Sequence, residues 1–140
     1  MLRRVTKIIN AALLAWVAWV AVNALTVPIG FVGIKDQFRT ALQNGDSVAL
    51  RKLTSDPQDD RIGQALKARQ VDKPTDLITR GGGYSTEISP RFLWTGESIG
   101  YHDVTVKAVD GSAVPFRLEL VKGNVLFGGG WKIKSVSFEK

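Results

Sequence analysis

The chain of 140 residues contains no cysteine and one histidine. Without thiols there is no disulfide, thiol nucleophile, cysteine metal knuckle, iron–sulfur cluster or lipidated cysteine anchor. A lone imidazole leaves little for a zinc site, so neither metal nor cofactor is expected. Long basic stripes interleaved with aromatics are lacking too. Of the formal net charge of +6, Arg3, Arg4 and Lys7 supply half from the first seven residues, and the remaining Lys and Arg are spread singly. That distribution argues against a nucleic-acid partner. Length allows one domain plus an appendage, and is too short for two ordinary cores.

What is present is an apolar run. Residues 8–34 hold 27 positions without a charge. A helix over residues 8–28 spans roughly 30 Å at about 1.5 Å per residue, enough to cross a bilayer's hydrocarbon layer. The basic tip of residues 1–7 abuts it, which places the amino end on the cytoplasmic side of an inner or cytoplasmic membrane. The rest of the chain is then periplasmic or otherwise extracytoplasmic. The rival reading is a signal peptide cleaved near Ala24, since Val22, Asn23 and Ala24 approach a small-residue cleavage pattern. Retention is favoured because the uncharged run continues past that point and Trp16 and Trp19 are bulky for a minimal signal core. Asn10 and Asn23, near either end, are expected to be satisfied by headgroups and water. Ala11, Ala15 and Ala18 make one side of the helix slim enough for another helix to approach. Trp16 and Trp19, on a different side, suggest packing against protein or a bound cofactor.

After a juncture at residues 29–34, residues 35–140 have a soluble composition. Ile34, Phe38, Ala41 and Leu42 repeat at helical period, and Asp46 is placed to cap a second short helix through Leu50 and Leu53. Asp56 with Pro57 predicts a further helix start, ending near Val71 before Pro74. Period two follows. Tyr84, Thr86, Ile88, Phe92 and Trp94 share a parity, interrupted by Pro90. Val104, Val106 and Ala108 form the inward row of the next strand, and Val114, Phe116, Leu118 and Leu120 that of its partner, with Asp110-Gly111 as the hairpin turn between them. Trp131 and Ile133 alternate with opposite parity to Val136 and Phe138, which predicts a bulge at Lys134 or Ser135. Helices followed by about four antiparallel strands define an α+β fold, with helices on one face of a curved sheet.

These residues carry a likeness. Phe38–Leu42, Gly45-Asp46, the Val104-Thr105-Val106 strand, Asp110-Gly111, the strand from Phe116 to Leu120 and the closing Gly130-Trp131-Lys132-Ile133 resemble the small cone-shaped domains of the nuclear-transport-factor-2-like (cystatin-like) superfamily. The resemblance covers about 100 residues and implies helices wrapped by a bent sheet around a pocket. Tyr84, Trp94, Val106, Phe116 and Trp131 would line it and take a lipid or small apolar ligand. In plan, one span, two short helices and a sheet, the chain is also similar to membrane-tethered assembly factors of the respiratory chain and of mitochondrial protein import.

Catalytic chemistry finds little support. His102 and Asp103 are neighbours, so in a strand they point to opposite faces and form no dyad; a rim histidine with one hydrogen bond is the plainer expectation. Gly81-Gly82-Gly83 lacks the spacing and the Lys of a nucleotide loop and reads as a turn. Val125, Leu126 and Phe127 are apolar where a hairpin end is normally polar. Either they continue a strand or they form an exposed tip touching another subunit or the bilayer. The leading expectation is therefore a non-catalytic single-span accessory or assembly subunit, meeting other membrane subunits, the lipid bilayer or a second copy of itself. A tethered ligand binder and a small enzyme are the alternatives.

Overall fold

The computed structural model describes residues 1–71, 76–78, 84–88 and 91–138. The chain is α+β. Helix α1 (Leu2–Leu25) is followed by α2 (Phe31–Gln43), α3 (Ser47–Leu53) and α4 (Arg61–Ala68), then by β1 (Asp76–Ile78) and β2 (Tyr84–Ile88). A short helix α5 (Phe92–Thr95) precedes β3 (Ser98–Lys107) and β4 (Ala113–Lys122); a 3-10 turn, Val125–Phe127, leads to β5 (Trp131–Phe138). All strand pairs are antiparallel, in the order β1-β3-β4-β5, with β2 also on β3. Because β4 holds one edge of β3 along its whole length, β1 and β2 share the other. The sheet does not close on itself.

Alternation along β3 and β4 sends Val104, Val106, Phe116, Leu118 and Leu120 to one face, and the 3.6-residue repeat of α2 sends Phe31, Ile34, Phe38, Ala41 and Leu42 against it. The Phe38 and Phe116 rings meet edge-on at 6.3 Å, and Phe31 meets Trp131 at 4.9 Å. Asp46 caps α3 as the sequence requires, its Oδ1 accepting from the Ala49 amide at 2.9 Å. The turn at Asp110-Gly111 joins β3 to β4, with Gly111 at φ +87° and Asp110 accepting from the Ser112 amide. The bulge also falls where parity demands it: Leu120 pairs with Ile133 and Glu119 with Ser135, so Lys134 is the extra residue. It turns Val136 and Phe138 back toward the core.

Three local expectations fail. The helix expected from Asp56 starts at Arg61 instead, because the Asp56 carboxylate accepts from the Gln58 amide and its carbonyl from Asp59, closing a turn of its own. It ends at Ala68, and Val71 lies beyond it, fully buried. Finally, Phe92 and Trp94 are not in a strand. The segment between Pro90 and Gly96 is a single helical turn, which buries Phe92 and leaves Trp94 71% exposed. Gly81-Gly82-Gly83 lies outside the described residues.

Candidate functional site

The features that set this domain apart gather where α1 meets the end of the sheet. Trp16, Trp19, Val20 and Asn23 lie on one side of α1 by helical spacing; Trp19 and Val20 are half-buried and Asn23 is completely buried. The Trp16 indole donates to the Leu93 carbonyl of α5 at 2.9 Å. Asn23 Oδ1 accepts the Val125 amide at 3.1 Å, while its Nδ2 donates to the Trp19 carbonyl at 3.0 Å. One turn further, Thr26 Oγ1 accepts from Lys122 Nζ at 3.1 Å, and the Val27 carbonyl accepts from the Trp131 indole at 2.8 Å. The apolar helix is thus joined to α5, the end of β4, the start of β5 and the turn between those strands. Asn23 is not solvated by headgroups as expected; it satisfies domain backbone. Trp16 packs against its own domain.

Two glycines make room for this joint. Gly96, at φ +67°, ends α5, and a Cβ there would come within 2.9 Å of Asn23 Cγ. At Gly100 a Cβ would stand 2.5 Å from Phe31 Cε2 and 3.0 Å from Trp131 Cζ3. Lys122 continues the inward row of β4 and is buried, which pushes its ammonium pKa down; Thr26 Oγ1 and the carbonyl-rich end of α1 face it.

The rest of α1 is uncovered. Ala11, Ala15 and Ala18 are exposed, as are Leu13, Leu14 and Val17. The helix is 24 residues long, and its most apolar 18-residue stretch has a mean hydropathy of 1.9, long and apolar enough to cross a membrane. Arg3, Arg4 and Lys7 lie in its first two turns, all exposed. Val125, Leu126 and Phe127 form a turn rather than a strand; Val125 is half-buried against Asn23, and Leu126 and Phe127 are 63% and 89% exposed. Leu93 and Trp94 add a second exposed apolar pair.

The residues expected to line a pocket, so far as their side chains are described, are divided between core and surface. Val106, Phe116 and Trp131 belong to the packed core, at 0%, 2% and 6% exposure, whereas Trp94 stands outside on α5. Tyr84 opens β2, and its side chain lies outside the described part of the structure. His102 faces inward and is buried, not on a rim; among the described residues its Nδ1 has no hydrogen-bond partner. Burial first, then the nearby charge of Lys35, lowers its pKa to about 4. Asp103 points outward as expected and binds Arg117 through two hydrogen bonds, at 2.6 and 3.0 Å. Among the described residues no group of three His, Asp or Glu is placed to hold a metal ion.

The polar joint was partly visible in the sequence. Pro90 just before and Gly96 just after Phe92–Thr95 are helix start and stop signals, and Lys122 falls on the inward parity of Leu118 and Leu120. Nothing in the sequence tied Asn23 to residue 125. No family model, curated protein or solved structure matches this chain.

Proposed function

We propose that this protein is a non-catalytic, single-span accessory or assembly subunit of a membrane complex. In this reading α1 stays in the bilayer with its basic tip on the cytoplasmic side, and the α+β domain, of nuclear-transport-factor-2-like type, lies on the extracytoplasmic side. The observation that carries the reading is a long apolar helix, exposed along its alanine side, whose carboxyl end is built into the domain. Cleavage after Ala24 would remove the acceptor of the Val125 amide from the interior, a cost that a disposable leader does not impose. Ala11, Ala15 and Ala18 give another transmembrane helix a close approach, the geometry by which spans associate when lipid supplies no hydrophobic drive.

The test is a photoreactive residue introduced at Ala15, or at Leu13 on the opposite side, in the full tagged chain expressed in its own membrane. Irradiation at Ala15 is expected to give one discrete adduct with another membrane polypeptide, and irradiation at Leu13 lipid adducts only. Lipid adducts alone from both sites, or a soluble mature chain beginning after Ala24, refute the reading.

A further inference from the structure

The level at which α1 is gripped constrains where the domain sits. Trp16 is nine residues before Leu25, about 14 Å along the helix axis at ~1.5 Å per residue. Side chains lean toward a helix's amino end, so the Leu93 carbonyl that takes the Trp16 indole proton is at that level or nearer Met1. If everything beyond the level of Leu93 lay in water, only residues 2–15 of α1 would remain for the bilayer. That stretch is about 21 Å long, shorter than the roughly 30 Å hydrocarbon layer, and it begins with Arg3 and Arg4. A spanning α1 therefore brings α5 down into the boundary of the lipid.

The structure is fitted for this. Flanking α1 on the same end of the sheet are four large apolar side chains pointing outward: Leu93 at 43%, Trp94 at 71%, Leu126 at 63% and Phe127 at 89% exposure. Backbone groups that enter lipid must be satisfied internally, and most of the amides here are. In α5 the amides of Trp94 and Thr95 donate to the Arg91 carbonyl and that of Gly96 to Phe92. In the Val125–Phe127 turn, Val125 donates to Asn23, Leu126 to the Asn124 side chain, and Phe127 and Gly129 to the Asn124 carbonyl. Tryptophan is also the side chain most at home at the headgroup level.

We infer that Leu93, Trp94, Leu126 and Phe127 form a bilayer-inserting rim, seated in the interfacial layer beside α1, so that the domain lies against the membrane rather than standing off on a tether. The inference rests on the spanning role proposed for α1 and assigns the apolar tip to lipid, leaving protein contact to the alanine side.

The absence of cysteine permits single-cysteine labelling of the full chain. An environment-sensitive fluorophore is placed at Trp94→Cys, Phe127→Cys, Ala11→Cys or Val109→Cys, the last on the exposed turn at the far end of the β3–β4 hairpin. Each protein is reconstituted into phosphatidylcholine–phosphatidylglycerol vesicles containing lipids with a nitroxide near the headgroup or near the chain terminus. Labels at 94 and 127 are expected to lose most of their emission to the shallow nitroxide, the label at 11 to the deep one, and the label at 109 to neither. Emission at 94 and 127 quenched only by aqueous iodide, with 11 still quenched by lipid, overturns the rim and leaves the span intact. Protection at 94 and 127 from both iodide and nitroxide overturns it in favour of contact between copies. Aqueous quenching at all four sites removes the span and the rim together.

Discussion

Replacing Asn23 by alanine isolates the joint between helix and domain. The carboxamide is fully buried, and its Oδ1 is the acceptor of the Val125 amide at 3.1 Å. Its loss leaves that half-buried N–H without its acceptor, at about 1–3 kcal/mol for an unsatisfied donor shielded from water. Of the two bonds that Nδ2 donates, that to the Trp19 carbonyl lies within the same helix and that to Asn124 Oδ1 is long, at 3.4 Å, so both add little. Taking about 2 kcal/mol, and 1.36 kcal/mol for each factor of ten, opening of the joint becomes some thirty-fold more frequent. Asn23 is not among the core residues Phe38, Leu42, Phe116, Leu118 and Ile133, so global stability should fall far less than local stability. Amide hydrogen exchange of the full chain in lipid nanodiscs separates the two. Exchange at Val125 and its neighbours should accelerate by one to two orders of magnitude, with the middle of β3 and β4 unchanged. Unaltered protection at Val125, or an even loss over both strands, would refute the idea that this side chain holds helix to sheet.

Gly100→Ala should destabilise the fold by about 1–3 kcal/mol through overpacking, and Phe31→Leu in the same chain should restore part of the loss, because Phe31 Cε2 is the nearest obstacle; urea titration of the single and double variants checks this. His102 gives a pH signature. Its folded pKa, about 4, lies below the ordinary 6.5, so the folded chain binds fewer protons than the unfolded one between those values. The stability this supplies is complete above pH 6.5 and is lost as the pH falls to about 4, by up to about 3 kcal/mol; His102→Gln should flatten the slope in that window. Lys122 and Thr26 should be coupled: Thr26→Val alone costs about 1–2 kcal/mol by leaving a buried ammonium without its hydroxyl, whereas adding Lys122→Met recovers most of it, as a thermal-denaturation double-mutant cycle would report. Asp46→Ala should cost about 1 kcal/mol by uncapping α3.

The parts of this fold that follow from a local period were legible in the sequence. The inward rows of β3 and β4, the Asp110-Gly111 turn and the bulge at Lys134 each need only alternation, a turn residue and a change of parity. The Asp46 cap likewise depends on a carboxylate three residues before an amide. Where two local signals competed, reading failed. Asp56 had the chemistry of a helix cap but spent its carboxylate on a tighter turn, and Phe92 and Trp94 kept the parity of Tyr84, Thr86 and Ile88 although β2 ends at Ile88 and a helical turn follows. The joint was hidden for a different reason. Asn23 meets Val125 across 102 positions and Trp16 meets Leu93 across 77, and no periodicity encodes such pairings. An asparagine in an apolar run registers only as an expense whose compensation lies elsewhere.

A rod fastened by one pin swings; fastened by two, it steers. The indole of Trp16 and the carboxamide of Asn23 grip the rest of the protein about 10 Å apart along the same rod. The sheet consequently has no hinge against the helix and must share its heading. Bilayers of different thickness are met by spanning helices through changes of lean, and in this molecule such a change would swing the far end of the β3–β4 hairpin through the same angle. With α1 in a bilayer as proposed, the tip of that hairpin would register the membrane's thickness as a needle registers on a dial.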